Sequence, residues 1–314
     1  MGRLQKKFRK MAPFLLGCGV ISAVGLIGCS RAERTPPTGQ PFVLTTFTIL
    51  QDLTRMVAGD IVEVRTLTPI GGEVHEWELI PSNFADIERA ALILYNGYEL
   101  EGWMDQVRAI ARPGTPVVAV AEASDYPTIP IRIGELEGRP DPHLWMHPQA
   151  AQAYLQVIRD RLIAIFPEHR DTFIAQTDNA QENLSRLYTE LQQQLADIPR
   201  AERVLITSEA AFLYFADAFQ FEHDAIWGSN DEEEGTPRQI ARIIRRIRSS
   251  EIPVAFYEST ISDRHVRSVA EETGIRVAGP LFVDSLGPPN SGAASYADLM
   301  RHNVNRIRQA LAQE

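Results

Sequence analysis

The sequence predicts an α/β protein of two lobes, each with a mainly parallel four-stranded sheet wrapped by helices, joined by one long rigid helix. Strand and helix signals alternate four times between residues 41 and 166, the pattern of a parallel sheet with helical connections. Residues 168–198 contain neither glycine nor proline and are rich in helix formers, which predicts one helix of about 30 residues. The alternation resumes after Pro199. A chain of 314 residues, 44% of them hydrophobic, is long enough for two such lobes.

The first 28 residues have the form of a bacterial signal peptide. Five basic residues and no acid lie within the first ten positions, and Met11–Gly28 is almost wholly apolar or small. The segment ends in Leu26-Ile27-Gly28-Cys29, which resembles the lipobox at which a cysteine becomes the lipidated N-terminus. We therefore predict a signal peptide over residues 1–28, a lipid on Cys29 and a flexible tether over residues 29–40. The alternative is that the apolar segment is retained as a membrane anchor.

The predicted mature chain is strongly acidic. Removal of the leader takes away five positive and no negative charges, which moves the formal net charge from −10 to −15. Such a charge disfavours nucleic acid and anionic lipid as partners of the folded body, whereas it tolerates cations. Because Cys29 is the only cysteine of the mature part, a disulfide is excluded. A metal site would have to use imidazole, carboxylate or carbonyl ligands.

The first lobe is predicted to span residues 41–166. Its strand segments are apolar or alternating, and its helix segments carry apolar residues at helical spacing. Ser82 is expected to cap the second helix, and Pro148 suits the first turn of the fourth. The predicted strands are 42–47, 61–69, 91–95 and 116–120, and the predicted helices are 49–57, 82–90, 104–111 and 149–165.

The linking helix is predicted within residues 167–199, and the second lobe over residues 200–314. At 1.5 Å per residue the linking helix would be about 45 Å long, a suitable length for a strut between lobes. Thr236 and Pro237 form an expected N-cap and first-turn pair. The predicted strands are 203–207, 224–227, 253–257 and 277–283, and the predicted helices are 210–219, 236–249, 263–273 and 296–312.

Four side chains of metal-ligand type follow predicted strands or stand at a helix entrance. Ligands of open α/β sheets bind at the carboxyl ends of strands, so these positions predict a site. The four are His75, His143, Glu209 and Asp284. Two come from each lobe, which places the site in the cleft between the lobes. Two imidazoles and two carboxylates suit Mn²⁺ or Fe²⁺ if a carboxylate is bidentate, and Zn²⁺ if all four ligands are monodentate.

The motifs around these residues resemble those of the metal-binding solute-binding lipoproteins of manganese, zinc and iron ABC importers, over about residues 41–313. The matching segments are Gly71-Gly72-x-x-His75-Glu76-Trp77-Glu78, Leu94-Tyr95-Asn96-Gly97, Asp141-Pro142-His143-x-Trp145, Thr207-Ser208-Glu209-Ala210-Ala211-Phe212, Glu233-Glu234-Gly235-Thr236-Pro237, Glu258-Ser259 and Phe282-x-Asp284-Ser285. The resemblance implies two α/β lobes joined by a rigid helix, with His75, His143, Glu209 and Asp284 as metal ligands.

The chain is more similar to the manganese-type members, including those of cyanobacteria, than to the zinc-type ones. Zinc-type members usually carry histidine at the position of Glu209. They often have a histidine-rich acidic loop before the second ligand, whereas residues 123–140 contain no histidine. Both departures favour Mn²⁺, although Zn²⁺ outbinds Mn²⁺ at most nitrogen and oxygen sites.

The resemblance implies a lipid-anchored, extracytoplasmic or periplasmic protein that captures a divalent metal. It would act as a monomer, not as an enzyme, and deliver Mn²⁺, or alternatively Zn²⁺ or Fe²⁺, to an ABC permease served by a separate cytoplasmic ATPase. The chain itself has no phosphate-binding loop. Three alternatives are a zinc-specific protein of the same class, a metal-dependent hydrolase, and a surface-interaction protein with a structural metal. Four protein ligands leave little room for the open position of a catalytic metal, which weighs against the hydrolase.

Several other polar residues have structural interpretations. His147 is expected to cap the following helix or to support the site rather than bind metal. Glu258 is expected beside the cleft as a supporting group. The remaining histidines, His169, His223, His265 and His302, are expected in exposed helices or loops. Trp77 and Trp145 are expected to pack in the core or in the cleft wall.

Overall fold

The computed structural model describes residues 40–230, 234–250 and 252–312. The predicted signal peptide, the lipidation site Cys29 and all but the last residue of the predicted tether lie outside these ranges. Within the described part of the chain, no helix is both long and apolar enough to cross a bilayer.

The first lobe contains one parallel sheet. Its strands are β1 (Phe42–Thr45), β2 (Glu63–Thr66), β3 (Leu92–Tyr95) and β4 (Val117–Ala119), and its helices are α1 (Thr48–Ala58), α2 (Pro81–Arg89), α3 (Met104–Ile110), α4 (Val120–Ala123) and α5 (Pro148–Ile165). All pairings are parallel, in the order β2–β1–β3–β4. The central strands β1 and β3 are covered on both faces, which explains their continuous apolar sequences.

The cap predicted for α2 was wrong. The helix begins at Pro81, because proline has no N–H to satisfy and its fixed φ suits the first helical position. Ser82 is therefore already inside the helix and exposed. A residue of the first turn supplies the capping hydrogen bond instead, because Asn83 Oδ1 accepts the Ile80 N–H at 3.0 Å.

The long helix between the lobes is shorter than predicted. Its beginning is a separate 3₁₀ turn, Pro167–His169, and the α-helix itself, α6, spans Arg170–Gln194 over 25 residues. Its buried side chains follow a spacing of three and four residues, which lays one apolar stripe along the helix. They are Phe173, Thr177, Ala180, Leu184, Leu187 and Leu191. This stripe packs against α5 and α1, so α6 is a packed element rather than a free strut.

The second lobe carries four strands and four helices. They are β5 (Val204–Glu209), α7 (Leu213–Phe219), β6 (Glu222–Trp227), α8 (Pro237–Ser250), β7 (Val254–Glu258), α9 (Arg264–Thr273), β8 (Arg276–Leu281) and α10 (Tyr296–Leu311). In the described residues the strands form two parallel pairs, β5–β6 and β7–β8, and β5 lies beside β7. Where these two strands end, the Glu209 N–H donates to the Glu258 side chain instead of to a neighbouring strand. The N-cap predicted at Thr236 is confirmed, since its Oγ1 accepts the Gln239 N–H.

The larger hydrophobic core extends through both lobes. It includes Leu187 of α6 and Ile307 of α10, together with Phe47 and Trp145, whose ring centroids are 5.0 Å apart. A smaller core lies between the strands of the second lobe and its helices α8 and α9. Because close-packed cores resist being opened, a core shared by both lobes disfavours a large movement of one lobe against the other.

Candidate metal centre

Three of the four predicted ligands lie at or after the carboxyl ends of strands. His75 is in the loop between β2 and α2, Glu209 is the last residue of β5, and Asp284 comes three residues after β8. Each of these strands belongs to a parallel pairing in a different sheet, and each presents a polar side chain at or beyond its carboxyl end.

His143 reaches the site from a different kind of segment. The chain before it forms an antiparallel bridge between Pro130 and Pro140, and the residues after it form a 3₁₀ turn, Leu144–Met146. Asn96 holds this segment from the first sheet, because its Nδ2 donates to the Pro142 carbonyl at 2.9 Å. The histidine is therefore fixed by its surroundings, as the proline before it predicts.

The structure brings His75, His143 and Asp284 together and places Glu209 beside His75. Asp284 Oδ1 lies 3.7 Å from His75 Nε2 and 3.6 Å from His143 Nε2. Glu209 Oε1 lies 3.8 Å from His75 Nε2. Ligands bound about 2.1 Å from one ion at tetrahedral angles are roughly 3.4 Å apart, so the spacing of His75, His143 and Asp284 fits a single ion.

Several atoms of these side chains are buried without a hydrogen-bond partner among the described residues. They are both ring nitrogens of His75, His143 Nε2 and Asp284 Oδ1. The His143 and Asp284 side chains are fully buried, and that of His75 is 12% exposed. Buried polar atoms are nearly always paired, because an unpaired one costs about 1–3 kcal/mol. The unpaired polar atoms of His75, His143 and Asp284, which lie within 4.8 Å of one another, therefore indicate a site for a ligand that supplies the missing bonds.

Each histidine is preceded, two residues earlier, by an acid that holds its backbone. Asp141 Oδ1 accepts the His143 N–H at 2.9 Å, and Glu73 Oε1 accepts the His75 N–H at 3.0 Å. Asp141 Oδ1 also lies 3.2 Å from His143 Nδ1, so Nδ1 carries the proton when Nε2 binds a metal. The role of Glu73 was not predicted, although the same acid-x-His spacing as in Asp141–His143 is visible in the sequence.

Two further residues hold Glu209. The Asn230 N–H donates to Glu209 Oε1 at 3.0 Å, and the Glu209 N–H donates to Glu258 Oε1 at 3.2 Å. Glu258 is fully buried, in agreement with the prediction that it supports the site. Asn230 was not predicted, because no sequence signal marks a backbone contact between distant loops.

Burial and neighbouring charges shift the pKa values of the four side chains at this centre. Burial alone would lower the pKa of His75, but the nearby carboxylates of Glu209, Asp284 and Glu73 raise it to about 10. Burial likewise opposes protonation of His143, and Asp141 and Asp284 raise its pKa well above the usual range. Burial raises the pKa of Glu209 to about 7, whereas the two histidines hold the pKa of Asp284 below its ordinary value against burial.

A cleft of about 530 Å³ leads from the surface to the centre. Several acidic side chains line it, namely Glu73, Glu76, Glu99, Glu209 and Glu234. Their negative field would raise the local concentration of cations at the entrance.

Two other histidines lie apart from the centre. His147 caps α5, because its Nδ1 accepts the Gln149 N–H at 3.1 Å, which confirms the prediction that it is a cap. The exposure predicted for His223 was wrong. Strand β6 alternates its faces and turns this residue inward, where its Nε2 lies 2.8 Å from Thr207 Oγ1.

Comparison with known families and proteins identifies relatives of the whole folded chain. Residues 43–310 match the family model described as the periplasmic component A of the zinc-uptake complex, ZnuA. The chain is 34% identical over 311 residues to the iron-binding protein YfeA of Yersinia pestis, covering 97% of this chain and 99% of that protein. It is 33% identical over 299 residues to the manganese-binding lipoprotein MntA of Halalkalibacterium halodurans, covering 94% and 97%.

Solved structures have the same fold. The Mn-bound periplasmic metal-binding protein of Candidatus Liberibacter asiaticus aligns with a TM-score of 0.77 at 29% identity, covering 87% of this chain and all of that one. The periplasmic zinc-binding protein TroA of Treponema pallidum aligns with a TM-score of 0.79 at 27% identity, covering 88% of this chain and all of that one. The fold with two lobes and a long connecting helix is therefore shared with proteins that bind metal ions.

Proposed function

The chain belongs to the ZnuA family of periplasmic metal-binding lipoproteins of ABC importers, and we propose that His75, His143, Glu209 and Asp284 hold its cargo ion. Proteins of this family are solute-binding proteins of importers and not enzymes. The chain is accordingly an extracytoplasmic, membrane-anchored binding protein for a divalent transition metal.

One observation carries the assignment of the ligands. Unpaired nitrogen atoms of His75 and His143 and an unpaired oxygen of Asp284 point at one buried spot, and all three atoms lie within 4.8 Å of one another. Glu209 adds a second carboxylate from the side of His75. These donors include no sulfur, which suits borderline and hard divalent ions.

We propose Mn²⁺ as the cargo among the ions of this family. Two carboxylates and two imidazoles form a harder donor set than one with a third histidine in place of Glu209. Glu73, whose Oε1 lies 3.8 Å from His75 Nε2, adds negative charge at the edge of the centre. Both features favour an ion that accepts more than four oxygen-rich ligands, whereas Zn²⁺ is satisfied by four. Zn²⁺ and Fe²⁺ are the competing cargoes.

In the proposed cycle, an ion enters through the acidic cleft, and the bound ion ties residues 41–166 to residues 200–314 across the linking segment 167–199. The protein acts as a monomer, tethered through a lipid on Cys29, and passes the ion to a permease whose transport is driven by a separate cytoplasmic ATPase. The shared core limits the accompanying movement to a small adjustment around the site.

The direct test is metal binding by the purified folded body. We expect one Mn²⁺ per chain by isothermal titration and elemental analysis, and loss of at least about 100-fold in affinity in His143→Ala, since a ligand is removed from a four-ligand site. His169→Ala, an exposed histidine at the start of the long helix, is the matched control. Normal Mn²⁺ binding by His143→Ala, with an unchanged melting temperature, would contradict the proposed ligand set. Tighter binding of Zn²⁺ or Fe²⁺ under competition would replace the proposed cargo.

A further inference from the structure

Asn230 connects the proposed ligand Glu209 to the opposite wall of the cleft. It lies three residues after β6 in the second lobe, and its backbone N–H donates to Glu209 Oε1 at 3.0 Å. Its side-chain Nδ2 donates to the carbonyl of Glu99, in the first lobe, also at 3.0 Å. All three residues line the cleft that leads to the metal centre. Asn230 therefore hydrogen-bonds the proposed ligand Glu209 through its backbone and the opposite cleft wall through its side chain.

Both segments that meet at this contact contain non-glycine residues with positive φ. Only five non-glycine residues of the described chain have positive φ, and three of them meet here, namely Tyr98 at 49°, Glu99 at 62° and Asn230 at 56°. Such conformations cost about 1 kcal/mol or more each and persist only where the surroundings hold them. Asparagine tolerates the left-handed region better than most residues, which suits this position.

The loop that presents the Glu99 carbonyl is held firmly. The Tyr98 N–H donates to Glu122 Oε1 at 2.9 Å, and the Glu99 carboxylate pairs with Arg139. The buried Glu101 carboxylate accepts the backbone N–H groups of Asn96 and Gly97 at 2.7 and 3.2 Å. Because the residues around Glu99 and its own side chain are held by these contacts, the Glu99 carbonyl is presented to Asn230 by an ordered segment of the cleft wall.

We infer that Asn230 is a positioning residue that orients Glu209 toward the ion and latches the cleft over it. This inference rests on the proposed role of Glu209 as a ligand. The N–H bond holds one carboxylate oxygen in place, so that the ligand is presented in one orientation. The side-chain bond to Glu99 must break before the walls separate, and it therefore slows escape of a bound ion. Asn230 Oδ1 is buried without a partner among the described residues, so Nδ2 is the atom that secures this side chain.

The test compares release rates of Mn²⁺ from the folded protein. Asn230→Gly keeps the positive φ and the backbone donor but removes the latch, whereas Asn230→Ala keeps the backbone donor and the Cβ but loses the Nδ2 donor without adding charge. Gln220→Gly is the matched control, because Gln220 also has positive φ, at 60°, and is exposed at the end of α7. Release is followed by rapid mixing of the Mn²⁺-loaded protein with excess chelator.

We expect Asn230→Gly and Asn230→Ala to release Mn²⁺ about three- to tenfold faster than the parent protein, the effect of one lost hydrogen bond. Gln220→Gly should release it at the parental rate, and all variants should bind one ion. Release from both Asn230 variants within twofold of the parent, or equal acceleration in Gln220→Gly, would overturn the latch alone. Absence of Mn²⁺ binding by the parent protein would overturn the proposed cargo, and the latch with it.

Discussion

Trp145 Nε1 donates a hydrogen bond to the Val283 carbonyl at 2.9 Å, and this contact joins the two segments that carry His143 and Asp284. Trp145 lies two residues after the histidine, and Val283 immediately precedes the acid. The indole is fully buried, and the Trp145 carbonyl in turn accepts the Tyr296 hydroxyl at 2.8 Å. The separation between an imidazole of one lobe and a carboxylate of the other is therefore set by a buried tie between their backbones.

Trp145→Phe should weaken Mn²⁺ binding without touching a ligand. The change leaves the Val283 carbonyl buried and unpaired, at a cost of about 1–3 kcal/mol, and frees the Asp284 segment to shift. We expect affinity to fall by roughly tenfold, measured by isothermal titration. Trp77→Phe is the control, because the Trp77 indole bonds only to the side chain of Asn83, at 3.3 Å, and is partly exposed. Equal losses in both variants would show that the tie to Val283 is not what sets the geometry.

The positions of the proposed ligands Glu209 and Asp284 relative to the strands could be predicted because their signals are local. Glu209 ends a buried strand, and Asp284 follows one, so the rule that sites form at carboxyl ends of parallel strands applies directly. The order of the strand and helix segments could be predicted for the same reason, since apolar spacing is a property of each segment alone.

The contacts that hold the site could not be predicted in this way. Ser285 Oγ accepts the Gly71 N–H at 2.7 Å and lies 3.2 Å from Thr48 Oγ1, which joins segments more than 200 positions apart. Asn230 acts through its backbone N–H, which every residue except proline carries. The inward orientation of His223 depends on the pairing of β6 with β5, and not on its neighbours in sequence.

Mn²⁺ affinity should rise with pH, because the ion must displace protons. The surrounding carboxylates raise the pKa of His75 to about 10 and the pKa of His143 well above its ordinary value, so protons compete with the ion for both imidazoles. We expect release of about one to two protons per bound ion and a matching increase of affinity between about pH 6 and 9. Titrations in buffers of different ionisation enthalpy measure the protons released. Constant affinity from about pH 8 to 5 would contradict this expectation.

The stability of the metal-free protein should change in the opposite direction. A histidine whose pKa is raised on folding stabilises the folded protein at pH values below 6.5, its ordinary pKa. That contribution is lost as the pH rises toward about 10. The melting temperature without metal should therefore fall across this range, whereas the increase caused by Mn²⁺ should grow. In His75→Ala the fall in the melting temperature of the metal-free protein above pH 6.5 should be smaller.

Glu209→Ala should discriminate between cargo ions. Removal of this carboxylate leaves two imidazoles and Asp284, a set that Zn²⁺ still binds with a water molecule as fourth ligand, whereas Mn²⁺ depends more on oxygen donors. We expect affinity to fall by about 100-fold for Mn²⁺ and by about tenfold for Zn²⁺, measured by competition titration. Glu76→Ala, a change in the cleft wall, is the control. Equal losses for both ions at Glu209 would count against Mn²⁺ as the cargo.

Glu258→Gln should stabilise the metal-free protein at alkaline pH and leave Mn²⁺ binding nearly unchanged. Burial raises the pKa of Glu258 from its ordinary 4.5 to about 8, so the folded protein loses stability relative to the unfolded chain as pH rises between these values. A glutamine cannot ionise, and its Oε1 still accepts the Glu209 N–H. We therefore expect a melting temperature several degrees above that of the parent at about pH 8.5, and no difference at about pH 4.

Glu258→Ala separates the charge of this residue from its hydrogen bond. It removes the same ionisable group, but it also leaves a cavity and an unpaired Glu209 N–H, which cost about 2–5 kcal/mol together. The alanine variant should therefore melt below the parent at every pH and bind Mn²⁺ less tightly. If the glutamine variant were also less stable at about pH 8.5, Glu258 would have to be ionised in the folded protein. Its carboxylate would then contribute negative charge to the metal centre, instead of serving only as a neutral acceptor behind Glu209.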